Sequence, residues 1–437
     1  MNRVLIANRG EIAQRILRTC RARGLEVVVA YSRVDQDQPY LSQADEAFCI
    51  GAVSYLDIPN IVMAAKITGC DAVHPGYGFL SENAEFAAAV ESEGLTFIGP
   101  APASIASMAD KAAARTLAAN NGLVVVPGSE VLDASGLANI ASEIGFPVML
   151  KAAAGGGGRG IRVVHEAGEL SAAFAAAAAE AAAAFGDGAI YIEKYLEHAR
   201  HVEIQVAGDG NGSAIHLGSR ECSVQRRQQK VIEEAPAPVP DPAALASLAE
   251  HAAAFTAAIN YRGVGTLEFL LADGNYYFIE MNTRLQVEHP VTECISGLDL
   301  VGLQFDIAAH KILPLQQADV RFKGHAIEAR INAEDENHVP SPGYVSGLRL
   351  PGGPGIRVDT HLEAGQVVPY HYDAMIAKLV STGADRDEAL ARLIQAIAET
   401  RIEGIAANLS QLASITRHPD FAGAAVHTAW LENREGK

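Results

Sequence analysis

Residues 3 to 31 set the first limit on the fold. The run Val4-Leu5-Ile6-Ala7 reads as a strand, Asn8-Arg9-Gly10 as a turn, and Ile12, Ile16, Leu17 and Cys20 as one face of a helix that stops near Gly24. Val27 to Ala30 then reads as a second strand. Strands joined through a helix run parallel with a right-handed crossover, so a parallel α/β sheet is expected. The turn carries one glycine where a dinucleotide fingerprint needs three, which argues against a nicotinamide or flavin site. A further strand, Asp71 to Val73, leads into HPGYGFLSEN, where Ser81 is expected to cap a helix beginning around Glu82. Such a loop, at the C-terminal end of a parallel strand, is where open α/β sheets hold ligands; a tight turn around a packed Tyr77 is the alternative.

At 437 residues the chain should form two to four domains, at roughly 150 residues each. Hydrophobic residues make up 49% and charged residues 20%, enough to bury large cores. A net charge of -18 argues against nucleic acid or an anionic membrane as partner, so an anionic substrate must meet a local basic cluster. MNRVLIANRG reads as a folded strand rather than a signal peptide. No strongly apolar run reaches about 18 residues, and the alanine tract from Ala172 to Ala184, broken by Glu180, is a helix former. Cysteines 20, 49, 70, 222 and 294 show no C-x-x-C spacing, so free thiols in a reducing cytoplasm are expected.

From about Asp110 the texture changes to alanine-rich helices and pairs of short strands. Pro236, Pro238, Pro240 and Pro242 form a stiff extended segment, and Asp241-Pro242 suits a helix start. A third region begins near Gly324, with short strands between PSPG and LPGGPG, and closes with a helix capped by Asp385 and Glu388.

The segment KAAAGGGGRGIRVV, Lys151 to Val164, contains a literal G-x-G-x-x-G at Gly155, Gly157 and Gly160. A dinucleotide loop would be followed by a helix, whereas Ile161 to Val164 is β-rich. A P-loop would end in G-K-[ST], and a kinase carries its lysine on the following strand, not before the glycines. What remains is strand, glycine loop, strand. The glycines leave many backbone N–H groups free to approach phosphate oxygens, with Lys151 and Arg159 adding charge at the two ends. A solvent-facing hairpin is the alternative.

In TLEFLLADGNYYFIEMNTRLQVEHP, Asp273-Gly274 signals a hairpin. Glu280, Asn282, Arg284, Gln286 and Glu288 alternate with Met281, Thr283, Leu285 and Val287, so an extended run would carry five polar groups on one face. With Glu268 across the hairpin, the carboxylates suit Mg²⁺, which leaves positions for water and phosphate. A two-residue turn pairs 268 with 279 and separates the carboxylates; a three-residue turn through Asn275 pairs 268 with 280, and the latter is expected. Between loop and hairpin, Arg226, Arg227 and Lys230 form a basic patch followed by Glu233 and Glu234, readable as a solvated face or as an anion site.

Together, ANRGEIAQRI, HPGYGFLSEN, FPVMLKAAAGGGGRG, EKYLEHARHVEIQV, RRQQKVIEEAPAP, EMNTRLQVEHPVTE and EARINAED resemble biotin carboxylase, the ATP-grasp component of biotin-dependent carboxylases, in order along nearly the whole chain. The resemblance implies an N-terminal α/β domain at 1–109, an ATP-grasp domain at 110–323 with a mobile lid at about 125–197, and a β-rich C-terminal domain at 324–437. It implies the reaction of ATP, bicarbonate and carrier-bound biotin to carboxybiotin, ADP and phosphate, with Mg²⁺ or Mn²⁺. By the same resemblance Lys111, Lys151, Gly157 and Gly158 would meet ATP phosphates, Glu193, Lys194 and Leu196 would line the adenine site, and His201, Gln225 and Gln228 would approach the nucleotide. Glu268 and Glu280, assisted by Asn282, would bind the metal. Lys230, Arg284, Gln286 and the Val287 backbone would hold bicarbonate, Glu288 would be the general base, and Tyr77 and Arg330 would meet biotin, with a salt bridge to a glutamate as the plainer role for Arg330.

Two positions depart from the family pattern. Gln228 stands where histidine is common and cannot become a cation, and Ala154 stands where the glycine loop usually begins. None of the six methionines precedes a lysine, so the biotinylated carrier is expected on a separate protein or a further portion of a longer one. The implied partners are a biotin carboxyl carrier protein or domain, a carboxyltransferase and a second copy in a homodimer. Acetyl-CoA, another acyl-CoA, urea or guanidine could each be the final acceptor. Another ATP-grasp ligase and a catalytically silent scaffold are the more distant alternatives.

Overall fold

The computed structural model describes residues 1–52, 54–129, 136–153 and 161–435. The N-terminal strand Arg3–Ile6, helix Gly10–Ala22 and strand Glu26–Ser32 form the expected parallel unit, with Val4 beside Val27 and Ile6 beside Val29. The helix buries Ile12, Ile16, Leu17 and Cys20 against that sheet. Five parallel strands lie in the order Glu46–Gly51, Glu26–Ser32, Arg3–Ile6, Ala72–His74, Thr96–Phe97. The chain order reverses at Arg3–Ile6, which opens a crevice beyond the ends of that strand and Ala72–His74. Asn8 spans it, donating from Nδ2 to the carbonyls of Pro75 and Tyr77, both at 2.7 Å. Gly76 has φ +65°, and a Cβ there would come within 2.8 Å of Asn8 Nδ2, so only glycine fits. The next helix, Ala84–Ser92, starts later than expected. Asn83, not Ser81, caps it by accepting from the Phe86 N–H at 2.7 Å, because a turn closed by Ser81 N–H on the Gly78 carbonyl comes first.

Asp110 caps the helix Lys111–Asn120. Strand Val148–Ala152 then pairs antiparallel with Ile161–Val164 on one side, Lys151 facing Ile161, and with Ile190–Lys194 on the other. The strand, loop, strand reading of the glycine segment is therefore correct at both ends; Ala154, Gly157 and Gly158 lie outside the described residues. Helices Leu137–Ile144 and Leu170–Phe185 cover this small sheet and share its own apolar core of Leu137, Val148, Leu150, Val164 and Ile192. A unit with a private core can move as one body.

Eight antiparallel strands form the main sheet, in the order Asn275–Asn282, Arg262–Ala272, Arg200–Asp209, Ala214–Arg226, Gln229–Ala235, His325–Asn332, Met375–Gly383, Ile356–Thr360. The sheet runs straight through position 324, since Gln229–Ala235 pairs with His325–Asn332. Asp241 caps the helix Pro242–Ala258, as its sequence suggests. Asp385 and Glu388 cap Arg386–Glu399, but three short helices follow it, Leu409–Thr416, Pro419–Ala422 and Trp430–Glu435. Among the described residues no helix is long and apolar enough to cross a membrane, and all five cysteines are free thiols.

Candidate active site

The hairpin turn differs from expectation. Ala272 pairs with Asn275, so the turn is the two-residue Asp273-Gly274, both with positive φ. A bulge between Phe269 and Glu268 leaves Ile279 unpaired and restores the pairing of Glu268 with Glu280. The two carboxylates thus share a face for a different reason than the one anticipated. The strand also stops at Asn282, so Arg284, Gln286 and Glu288 sit on a loop and reach the site by its curvature rather than by alternation.

Asn282 Nδ2 and Gln286 Nε2 both donate to Glu268 Oε1, at 2.8 and 2.7 Å. Glu280 lies 3.2 Å from Lys111, and both of these side chains keep about a third of their surface open, 33% and 38%. Two carboxylates on one face, with an open side where water and phosphate can add, fit Mg²⁺. Asn282 accepts from Arg284 on its amide oxygen, so it links Glu268 to Arg284.

The basic patch divides on folding. Arg227 and Gln228, with φ +49° and +64°, form a tight exposed turn, and Arg226 turns to Glu334. Lys230 points inward, donating to Glu203, to Glu268 at 3.1 Å and to Glu288 at 2.7 Å. Two acidic groupings close enough to chelate a metal, His201-Glu203-Glu268 and Glu203-Cys222-Glu288, therefore surround an ammonium ion. Burial alone would lower the Lys230 ammonium, but Glu203, Glu268 and Glu288 hold it well above its usual value. Arg330 grips the other oxygen of Glu288 at 3.0 Å and Glu233 at 2.6 Å, so the plainer salt-bridge role is present as well. Burial would push the Glu288 carboxyl up, yet Lys230 and Arg330 hold it below its ordinary range, ionised at neutral pH. Glu233 goes the other way, up to about 7, because burial dominates.

Arg284 faces Glu82, which accepts from its Nε at 2.9 Å and from the Thr283 N–H at 3.1 Å. His201 is buried between Glu203 at 3.1 Å and Glu268 at 3.3 Å, with Gln225 at 2.9 Å from its Nδ1. Burial opposes its charge, but Glu268 and Glu203 raise its pKa to about 9. Lys151 and Arg115 both pair with Glu193. Burial, with the charges of Lys111 and Arg115, lowers Lys151 to about 8. Lys194 points away, donating to the carbonyls of Gly145 and Phe146 at 2.9 and 3.0 Å, and Leu196 follows it beyond the strand end. Tyr77 donates its hydroxyl to Glu11 beside Lys378, which holds the Val287 carbonyl at 2.8 Å.

Sequence reasoning missed Glu203, Arg220, Glu82, Arg115, Glu11 and Lys378. Arg220, fully buried, binds Glu203, Gln205, Thr266, Thr292 and Gln286, and so holds Gln286 in place. A signal existed for one of these, Glu203. His201, Glu203 and Gln205 alternate with Val202, Ile204 and Val206 in a β-rich run, placing three polar groups on one sheet face.

The biotin carboxylase N-terminal domain family matches residues 1–105, the ATP binding domain of the carbamoyl-phosphate synthase L chain matches 110–316, and the biotin carboxylase C-terminal domain matches 328–433. The biotin carboxylase of Allochromatium vinosum is 50% identical over 444 aligned positions, covering 100% of this chain and 99% of that one. Campylobacter jejuni biotin carboxylase, solved as a β-γ-ATP complex, superimposes with a TM-score of 0.96 at 44% identity, covering 99% and 98% of the two chains. The biotin carboxylase domain of Hydrogenobacter thermophilus 2-oxoglutarate carboxylase, solved as a dimer with MgADP, ADP and bicarbonate, gives 0.95 at 42% identity, with coverage of 99% and 98%. The chain belongs to the biotin carboxylase family, ATP-grasp ligases that carboxylate biotin with ATP and bicarbonate.

Proposed function

We propose that this buried cluster carboxylates biotin carried on a partner protein, and that one observation carries the assignment: Glu288 is held ionised between Lys230 and Arg330, next to the Glu268–Glu280 pair. Bicarbonate is a weak nucleophile and needs a base beside it and cations to hold it. Glu288 takes its proton while Lys230, Arg284, Gln286 and the Val287 backbone fix it in line with the γ-phosphate. Attack of the bicarbonate oxygen breaks the bond to ADP and forms carboxyphosphate, which decomposes to CO₂ and phosphate. Phosphate removes the biotin ureido proton, Arg330 steadies the resulting enolate, Tyr77 contacts the ring system, and the nitrogen attacks CO₂.

Lys111, Lys151, Gly157 and Gly158 meet the nucleotide phosphates, Glu193, Lys194 and Leu196 the adenine side, and His201, Gln225 and Gln228 the rest of the nucleotide. Glu268 and Glu280, assisted by Asn282, hold Mg²⁺ or Mn²⁺, which supplies charge neutralisation on the phosphates. The chain divides at 1–109, 110–323 and 324–437, with 125–197 as a lid. It works in the cytoplasm as a homodimer, with a biotin carboxyl carrier and a carboxyltransferase.

The test is fixation of labelled bicarbonate into free biotin by the purified protein. We expect ATP cleavage that requires bicarbonate and Mg²⁺ and rises with biotin. Cleavage indifferent to bicarbonate would overturn the assignment.

A further inference from the structure

No step above uses Lys378, although it is wholly buried. Its ammonium donates to the Val287 carbonyl at 2.8 Å, lies 3.1 Å from Glu11 and sits 5.9 Å from the centre of the Tyr77 ring. The Tyr77 hydroxyl donates to that same Glu11 oxygen, and the other Glu11 oxygen is buried with no hydrogen-bond partner. One cation on the strand Met375–Gly383 thus ties down the helix Gly10–Ala22, the HPGYG loop and the peptide that precedes Glu288.

The charge on Lys378 is secured by its surroundings. Burial alone would lower the ammonium, but Glu11, Glu328 and Asp359 hold it above its usual value. Glu328 does not compete for it by hydrogen bonding. Both Glu328 oxygens are buried without a partner, and burial pushes that carboxyl well above its ordinary range. The ammonium is left with Glu11 and the Val287 carbonyl as its close contacts. The peptide joining Val287 to Glu288 sets the point from which the Glu288 side chain departs. At the other end of the chain of contacts, Glu11 fixes the Tyr77 hydroxyl.

We propose that Lys378 is a positioning residue that locks the Val287–Glu288 peptide and, through Glu11, the Tyr77 ring, so that the base and the biotin-facing wall keep one spacing; this rests on the reading of Glu288 as base and Tyr77 as biotin contact. Such a residue governs how the two small substrates meet, and leaves nucleotide binding alone. A misplacement of about 1 Å can cost on the order of 100-fold in rate.

The test compares Lys378→Met with the pair Lys378→Met plus Glu11→Gln, which removes both buried charges and protects the fold if the single variant fails. We expect kcat/KM for free biotin and for bicarbonate to fall at least about tenfold in both, with KM for ATP and the thermal shift on MgATP addition unchanged. Values for biotin and bicarbonate within about twofold of wild type would overturn the inference, and so would a parallel loss of ATP binding, which marks a merely structural role. Wild-type ATP cleavage that ignores bicarbonate would overturn the assigned function instead, independently of Lys378.

Discussion

Replacing Glu288 by glutamine isolates the proton transfer from the architecture. The side chain is 2% exposed and accepts from Lys230 at 2.7 Å and from Arg330 at 3.0 Å. Glutamine has the same shape, but its NH₂ would face one of these cations, losing one charge-assisted hydrogen bond worth about 1.5–3 kcal/mol. The fold should survive this, because Lys230 keeps Glu203 and Glu268 and Arg330 keeps Glu233. Loss of a positioned base costs about 10²–10⁴ in rate, or roughly 2.7–5.5 kcal/mol at about 1.36 kcal/mol per decade. The assay is steady-state ATP cleavage with saturating bicarbonate and biotin, beside calorimetric binding of MgATP. Glu288→Gln should lower kcat by about 10²–10⁴ and leave MgATP affinity within about twofold. Since Lys230 and Arg330 keep the wild-type carboxyl below its usual value of 4.5, Glu288 stays ionised and available as a base throughout the neutral range in which bicarbonate persists. A kcat within about threefold of wild type in folded Glu288→Gln would refute Glu288 as the base.

Lys151, lowered to about 8 in the free protein, should regain its proton when phosphate arrives, so ATP binding takes up ~0.5 proton at pH 8 and little at pH 6.5, and affinity falls as pH rises through 8. Calorimetry in buffers of different ionisation enthalpy measures this, and Lys151→Met should abolish it. Arg220→Met should destabilise the protein by about 3–5 kcal/mol, since it takes the buried cation from Glu203 Oε2, leaving that carboxylate only its Oε1 contacts to Lys230 and His201, and removes the donors to Gln205 and Gln286; denaturant midpoints report the loss. Glu280→Gln, at a partly open position, should raise the Mg²⁺ concentration for half-maximal activity by at least about tenfold with no change in melting temperature.

Much of the fold was legible from periodicity alone. The strand, helix, strand opening, the Asp241 cap and the β-rich sequel to the glycine loop are local patterns, set by neighbours within a few residues. The Glu268–Glu280 pairing shows the boundary of that legibility. The three-residue turn expected through Asn275 gives way to a two-residue Asp273-Gly274 turn, and the bulge that nevertheless brings the carboxylates together depends on packing across two strands. In the same way RRQQK announced a basic patch, while the φ > 0 turn at Arg227-Gln228 sent its members in different directions.

The sequence by itself therefore determined which chemical groups are available and, through ordered motifs, the family they belong to. Only the tertiary structure decided their state. Glu288 is ionised, Glu233 is raised and Lys378 is charged because groups from distant parts of the chain meet out of water, where burial and partner charges compete over a few ångströms.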